Sequence, residues 1–129
     1  MARGTAHIGK DSYQTTIEVS GHKLVGDEPE RNGGHDTGPA PYDFVLAGLG
    51  ACTAITLRMY ADRKQWPMDA VDVALQLTRD DQGAMMVKRT LSFTGALDTE
   101  QKSRMAEIAE KTPVTLTLKA GMAIDTTVN

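Results

Sequence analysis

The chain has one cysteine, Cys52, and its thiol is the side chain best suited to act as a nucleophile. That chemistry needs the thiolate, and so a cation or hydrogen-bond donors beside the sulfur. Leu49, Ala51, Ala54 and Ile55 surround it in sequence, so packing as a small core residue is the competing use. Nothing within one helical turn of Cys52 supplies a donor or a cation; activation must come from elsewhere in the fold or from a second chain. His7, His22 and His35 are scattered, with no HxH or HxxxH spacing, so no metal site is expected. His35, beside Asp36 in a Gly-rich stretch, could approach the cysteine helix or remain a solvated loop residue. That stretch, Gly33 to Gly38, lacks the GK[ST] ending of a phosphate-binding loop. Arg31 and Arg58 read as surface residues, and Asp43 as an acid favoured by the helix N-terminal dipole, with Tyr42 anchoring the helix start.

The elements that must position these residues follow from the pattern. Tyr13, Thr15, Ile17 and Val19 alternate with period two, Ser20-Gly21 makes a turn, and residues 5–26 read as short antiparallel strands. Residues 27–41, with three prolines and three glycines, form a loop. A helix is expected from Tyr42 to about Gln65, ended by Trp66-Pro67. Gly48 and Gly50 each cost about 1 kcal/mol in a helix interior relative to alanine, which points to close approach of another backbone or a ligand. A hairpin follows: Val71, Val73, Leu75 and Leu77 share one strand face, DDQG makes the turn, and Val87, Arg89, Leu91 and Phe93 alternate on the return strand. Asp98 and Gln101 form a capping box opening a second helix with an inward stripe of Met105, Ile108 and Ala109. Thr112-Pro113 ends or kinks it, and Met122, Ile124, Thr126 and Val128 alternate as a last strand. The fold class is α+β, as a single domain over residues 1–129.

Composition narrows the partners. The 129 residues carry 17 acidic and 14 basic side chains, a formal charge of −3, with no concentrated basic patch. Neither nucleic acid nor an anionic membrane surface is an expected partner. The uncharged run Phe44 to Leu57 is short for a membrane span, which takes about 20 residues. The first residues show no signal-peptide pattern, and a cytoplasmic location is expected.

The block GGHDTGPAPYDFVLAGLGACTAITLRMYADRKQWPMDAV, residues 33–71, resembles the signature of the OsmC/Ohr family of thiol-dependent hydroperoxide reductases. The upstream HKLVGDEPE and downstream EIAEKTPVTLTLKAGMAI extend the resemblance over roughly residues 22–125. It implies two main helices packed with antiparallel sheets, in an intertwined homodimer with sites at the subunit interface and no cofactor. It also implies that Cys52 is the peroxidatic thiol, oxidised by an organic hydroperoxide to a sulfenic acid. The family's arginine and glutamate, which hold the thiolate, are not matched outright. Asp43, or Tyr42 beside it, stands at the acid's place, and Arg31 and Lys10 are the nearest basic residues. The family's second cysteine falls at Thr112, within Thr112-Pro113-Val114-Thr115, so an external thiol of unknown identity would have to resolve the sulfenic acid. The other reading is a non-catalytic member whose interface holds a small hydrophobic ligand, with Met59, Met105 and Met122 as lining candidates.

Overall fold

The computed structural model describes all 129 residues, in two compact units, Met1–Val45 and Leu46–Asn129. In the first, β1 (Gly4–His7), β2 (Thr15–Val19) and β3 (His22–Gly26) form an antiparallel meander in the order β1-β2-β3. Ile17 opposes Leu24, Val19 opposes His22, and Ser20-Gly21 turns the chain between the strands. Thr15, Ile17 and Val19 are the half-buried positions of β2, with exposed residues between them, as period-two alternation requires.

The 27–41 segment is an ordered loop containing a short 3₁₀ turn, Glu30–Asn32. It is closed by its own backbone: Asp27 N–H donates to Pro39 O at 3.1 Å and Asp36 N–H to Glu28 O at 3.1 Å. Two glycines are obligatory there, since a Cβ on Gly34 or Gly38 would fall about 2 Å from the carbonyl oxygen of Glu28 or Val25.

Helix α1 (Pro41–Lys64) begins in the first unit and continues in the second. Pro41 at its start has the fixed φ and missing N–H suited to a first turn. Leu49, Thr53, Leu57 and Ala61 recur every fourth residue as its buried stripe. With 24 residues it is longer than its uncharged stretch, and by length and composition alone it could cross a membrane. Its buried stripe is nonetheless part of a protein core.

That core, in the second unit, joins Leu57 and Ala61 to Met68, Leu97 and Met105, with Trp66, Val71, Leu91, Phe93 and Ile108 packed around them. Leu57 is fully buried, which contributes about 2 kcal/mol. The hairpin expected from the sequence forms between β4 (Met68–Arg79) and β5 (Met85–Gly95), and it pairs the two alternating sets: Val71 opposite Phe93, Val73 opposite Leu91, Leu75 opposite Arg89 and Leu77 opposite Val87. Asp80 closes its turn, its carboxylate accepting from Gln82 and Ala84 N–H. Helix α2 (Thr99–Ala109) opens on a reciprocal capping box between Asp98 and Gln101, and Met105 and Ala109 are buried.

Two expectations are corrected. There are three helices, because Pro113 does not merely kink α2 but starts a separate α3 (Pro113–Ala120) as its first residue. The last strand does not form in the single chain: residues 121–129 have no regular structure, with Met122, Ile124 and Val128 exposed by 76%, 89% and 94%. Alternation alone makes no strand, since its N–H and C=O groups need a neighbouring edge.

Candidate functional site

Cys52 flanks the buried stripe of α1 and is partly exposed. On its own face of the helix, at three- and four-residue spacing, lie Gly48, Ile55 and Met59; the last two are each 55% exposed. A Cβ on Gly48 would meet nothing within 4 Å, whereas one on Gly50 would come within 2.8 Å of Leu75 Cδ1. No backbone approaches either glycine: Gly50 meets only the tip of a leucine side chain on the hairpin, and Gly48 meets nothing.

The sulfur accepts a hydrogen bond from Val114 N–H, with N···Sγ 3.5 Å. The origin of this donor is the start of α3. The first N–H groups of a helix have no intrahelical partner and lie at the positive end of its dipole. Pro113 has no N–H, so Val114 carries the first donor of the helix. Thr112 occupies the N-cap but makes no side-chain cap to the backbone. Its hydroxyl instead meets Thr115 Oγ1 at 2.6 Å. The thiol of Cys52 therefore takes the acceptor's place at the α3 N-terminus, and a donor that the α1 sequence lacks comes from α3.

Behind this turn lies a buried polar cluster. Thr53, Thr112 and Thr115 are 0%, 0% and 5% exposed. Arg89 reaches them from the apolar face of β5, its side chain only 13% exposed. Its Nη1 donates to Thr53 Oγ1 at 3.0 Å and Thr115 Oγ1 at 2.8 Å. Its Nη2 donates to Ala109 O at 2.9 Å and Glu110 Oε2 at 3.2 Å. Thr53 in turn donates to Leu49 O at 2.7 Å. No buried side-chain polar atom is left without a partner. Neither Arg89 nor the two threonines other than Thr112 stand out in the sequence as site residues. The available signal was a cation in register with Val87, Leu91 and Phe93 on the apolar face of a strand.

The other candidates lie in the first unit. Asp43 is exposed in the first turn of α1, where its carboxylate accepts Ala40 N–H at 2.9 Å. Tyr42 is 57% exposed. Arg31, His35 and Lys10 are exposed as well. Their loop is organised by Asp27, which the sequence gives no reason to single out. This carboxylate is 3% exposed. It accepts from Thr37 Oγ1 at 2.6 Å and from the N–H groups of Thr37, Glu28 and His35 at 3.1, 2.8 and 3.3 Å. The Thr37 hydroxyl and N–H, with smaller help from Glu28 and His35, outweigh desolvation and lower its pKa from 3.8 to about 2. His35 thus serves this loop through its backbone. No group of three or more His, Cys, Asp and Glu side chains is placed to hold a metal ion.

The site at Cys52 consists of a partly exposed thiol, one helix-terminal donor on its sulfur, and a guanidinium that fixes the surrounding turns. Of the methionines considered as pocket lining, Met105 belongs to the core while Met59 and Met122 face outward.

Residues 34–127 match the family model described as OsmC-like protein. Among solved structures, an OsmC-like protein from Mycoplasma pneumoniae is similar with a TM-score of 0.76 and 17% identity, covering 92% of this chain and 87% of that one. An organic hydroperoxide resistance protein OsmC from Legionella pneumophila gives 0.64 and 18%, covering 92% and 89%. The organic hydroperoxide resistance protein OhrB of Bacillus subtilis gives 0.59 and 23%, covering 91% and 90%. No curated protein matches the sequence.

Proposed function

The chain belongs to the OsmC-like protein family, and from that premise we propose that it is a one-cysteine hydroperoxide reductase with Cys52 as the peroxidatic thiol, serving detoxification of organic peroxides. The observation that carries this reading is the Val114 N–H on the Cys52 sulfur at the N-terminus of α3. A backbone donor at a helix start favours negative charge on sulfur. In the proposed step the thiolate attacks the terminal oxygen of ROOH. The S–O bond forms, the O–O bond breaks, and the alkoxide takes a proton to leave as ROH. Two electrons pass from sulfur to the peroxide, leaving a sulfenic acid. Thr112 stands where the family's second cysteine would be, so resolution falls to an external thiol, which displaces water to form a mixed disulfide. A second equivalent of that thiol then releases Cys52.

A homodimer is part of this proposal. Cys52 lies on the same helix face as the exposed Ile55 and Met59, and Leu116 on α3 is 51% exposed. A second copy covering these residues would shield the thiol from bulk water and give the alternating tail an edge to pair with. Asp43 accepts from Ala40 N–H in its own chain, and its proposed role as the acid is toward the second copy's thiol. Tyr42, in the same first turn of α1, and His35 and Arg31, in the loop before it, are assigned to the same set.

One observation favours the other reading, a binding protein for a small hydrophobic ligand. The first unit has an apolar trough of about 580 Å³ lined by Tyr13, Ile17, Val19, Leu24 and Phe44.

The deciding experiment compares the oxidation of reduced protein by an organic hydroperoxide and by hydrogen peroxide. Intact mass and a sulfenic-acid trap follow the product, with Cys52→Ser as the blank. Oxidation by the organic peroxide that is faster than for a free thiol, and trapped sulfenic acid, support the reductase. Oxidation no faster than for a free thiol rejects it in favour of ligand binding.

A further inference from the structure

Arg89 stands apart from the other paired cations. Arg58, Arg104 and Lys119 bridge acids with side chains 41%, 45% and 60% exposed, against 13% for Arg89. A guanidinium this deep must be satisfied by several acceptors, since its desolvation is otherwise unfavourable. Its only acidic partner, Glu110, is 59% exposed and shared with Lys119. The rest of its shell is neutral oxygen.

Its four partners come from three helices. Thr53 follows Cys52 in α1, Ala109 and Glu110 end α2, and Thr115 follows Val114 in α3. Arg89 therefore joins the residue after the thiol to the residue after the N–H that meets it. The chemistry of the hydroxyls selects arginine. The Thr53 proton is directed to Leu49 O and the Thr115 hydroxyl lies 3.2 Å from Ala109 O as a donor. Both oxygens are then left as acceptors, and only a planar fork serves two hydroxyls, a carbonyl and a carboxylate at once.

We propose that Arg89 is a positioning residue for Cys52, its guanidinium fixing the α3 N-terminus so that Val114 N–H stays on the sulfur. This rests on the reading of Cys52 as a reactive thiol. The test follows alkylation of Cys52 by iodoacetamide in the reduced full-length protein, for wild type, Arg89→Lys, Arg89→Met, Thr115→Ser and Thr115→Val. Loss of a hydrogen bond to a charged atom slows alkylation near pH 7 about tenfold. Arg89→Lys, which keeps the charge but not the fork, is slowed as much as Arg89→Met, and Thr115→Ser stays at the wild-type rate while Thr115→Val is slowed. Near pH 10, where an ordinary thiol is largely ionised, all the rates converge. Folded Arg89→Lys with the wild-type rate near pH 7 overturns the proposal, as does slowing that persists near pH 10.

Should the Arg89 variants fail to fold, amide NMR of the wild type decides. The Val114 amide resonance must move with ionisation of Cys52, and Thr115→Val must weaken that response; an unresponsive amide rejects the proposal. Alkylation needs no peroxide, so failure of peroxide oxidation in the wild type removes the reductase reading without deciding the role of Arg89.

Discussion

Two ionised side chains are drawn away from solvent, one in each unit, Asp27 fully and Arg89 in large part, and they are satisfied in opposite ways. Asp27 draws all its donors from residues 28–37, a single stretch of loop. Arg89 draws its acceptors from α1, the end of α2 and α3, between 20 and 36 residues away in sequence. The first is a local device that gives a Gly-rich loop one shape and presents Arg31 and His35 at its surface. The second is a tertiary device that exists only once hairpin and helices have packed. The difference teaches where the surroundings of the Cys52 thiol come from. Cys52 lies beside the network that depends on the whole second unit, so its surroundings are tied to global packing in a way that the loop's shape is not.

The comparison can be broken most forcefully at Arg89. Replacing it by methionine takes the charged donor away from two buried hydroxyls and the Ala109 carbonyl, and the expected loss is about 3 kcal/mol of unfolding free energy. Denaturant unfolding measures it, and a loss below about 1 kcal/mol would show that the three helix segments hold together without the fork.

Asp27→Asn probes the other arm through pH. The Asp27 pKa falls from 3.8 to about 2 on folding, so its contribution is fully present above 3.8 and disappears as pH drops through about 2. In the wild type the melting temperature should fall across this window by an amount that includes Asp27; in Asp27→Asn that part is missing, and the variant is the less stable protein near pH 5. Melting curves from pH 5 to pH 2 for both proteins check this, and identical pH slopes would remove Asp27 from the account. Its structural effect should stay local, confined to the amides of residues 28–39.

The smallest expected effect sharpens the comparison within the arginine network. Thr115→Val removes one of four Arg89 contacts, together with the hydroxyl's contacts to Thr112 and Ala109 O, and should cost about 1.5 kcal/mol, again by denaturant unfolding. A loss equal to that of Arg89→Met would mean that Thr115, rather than the fork as a whole, holds the turn.

Much of this architecture was legible in the sequence. The Asp98–Gln101 capping box was legible because its partners are three residues apart, and the β4–β5 hairpin because side chains alternate with period two around a tight turn. The position of Cys52 in a helix was equally clear. The final strand was not, because alternation in 122–128 specifies which side of a strand would be apolar without providing the edge that makes it one. Asp27 was hidden among the acids of a loop segment, since neutral donors carry no charge pattern to reveal it. Arg89 was visible as a cation on an apolar strand face, but its partners were not.

The sequence by itself determined the elements, their caps and turns, and the thiol's place on a helix, because those depend on interactions within a few residues. Tertiary structure alone decided that a proline-started helix turns its first N–H to that thiol, and that a strand arginine gathers threonines from separate helices behind it. Burial is the physical reason: a desolvated cation or N–H must find an acceptor wherever packing brings one, and no local pattern records which residues will be there.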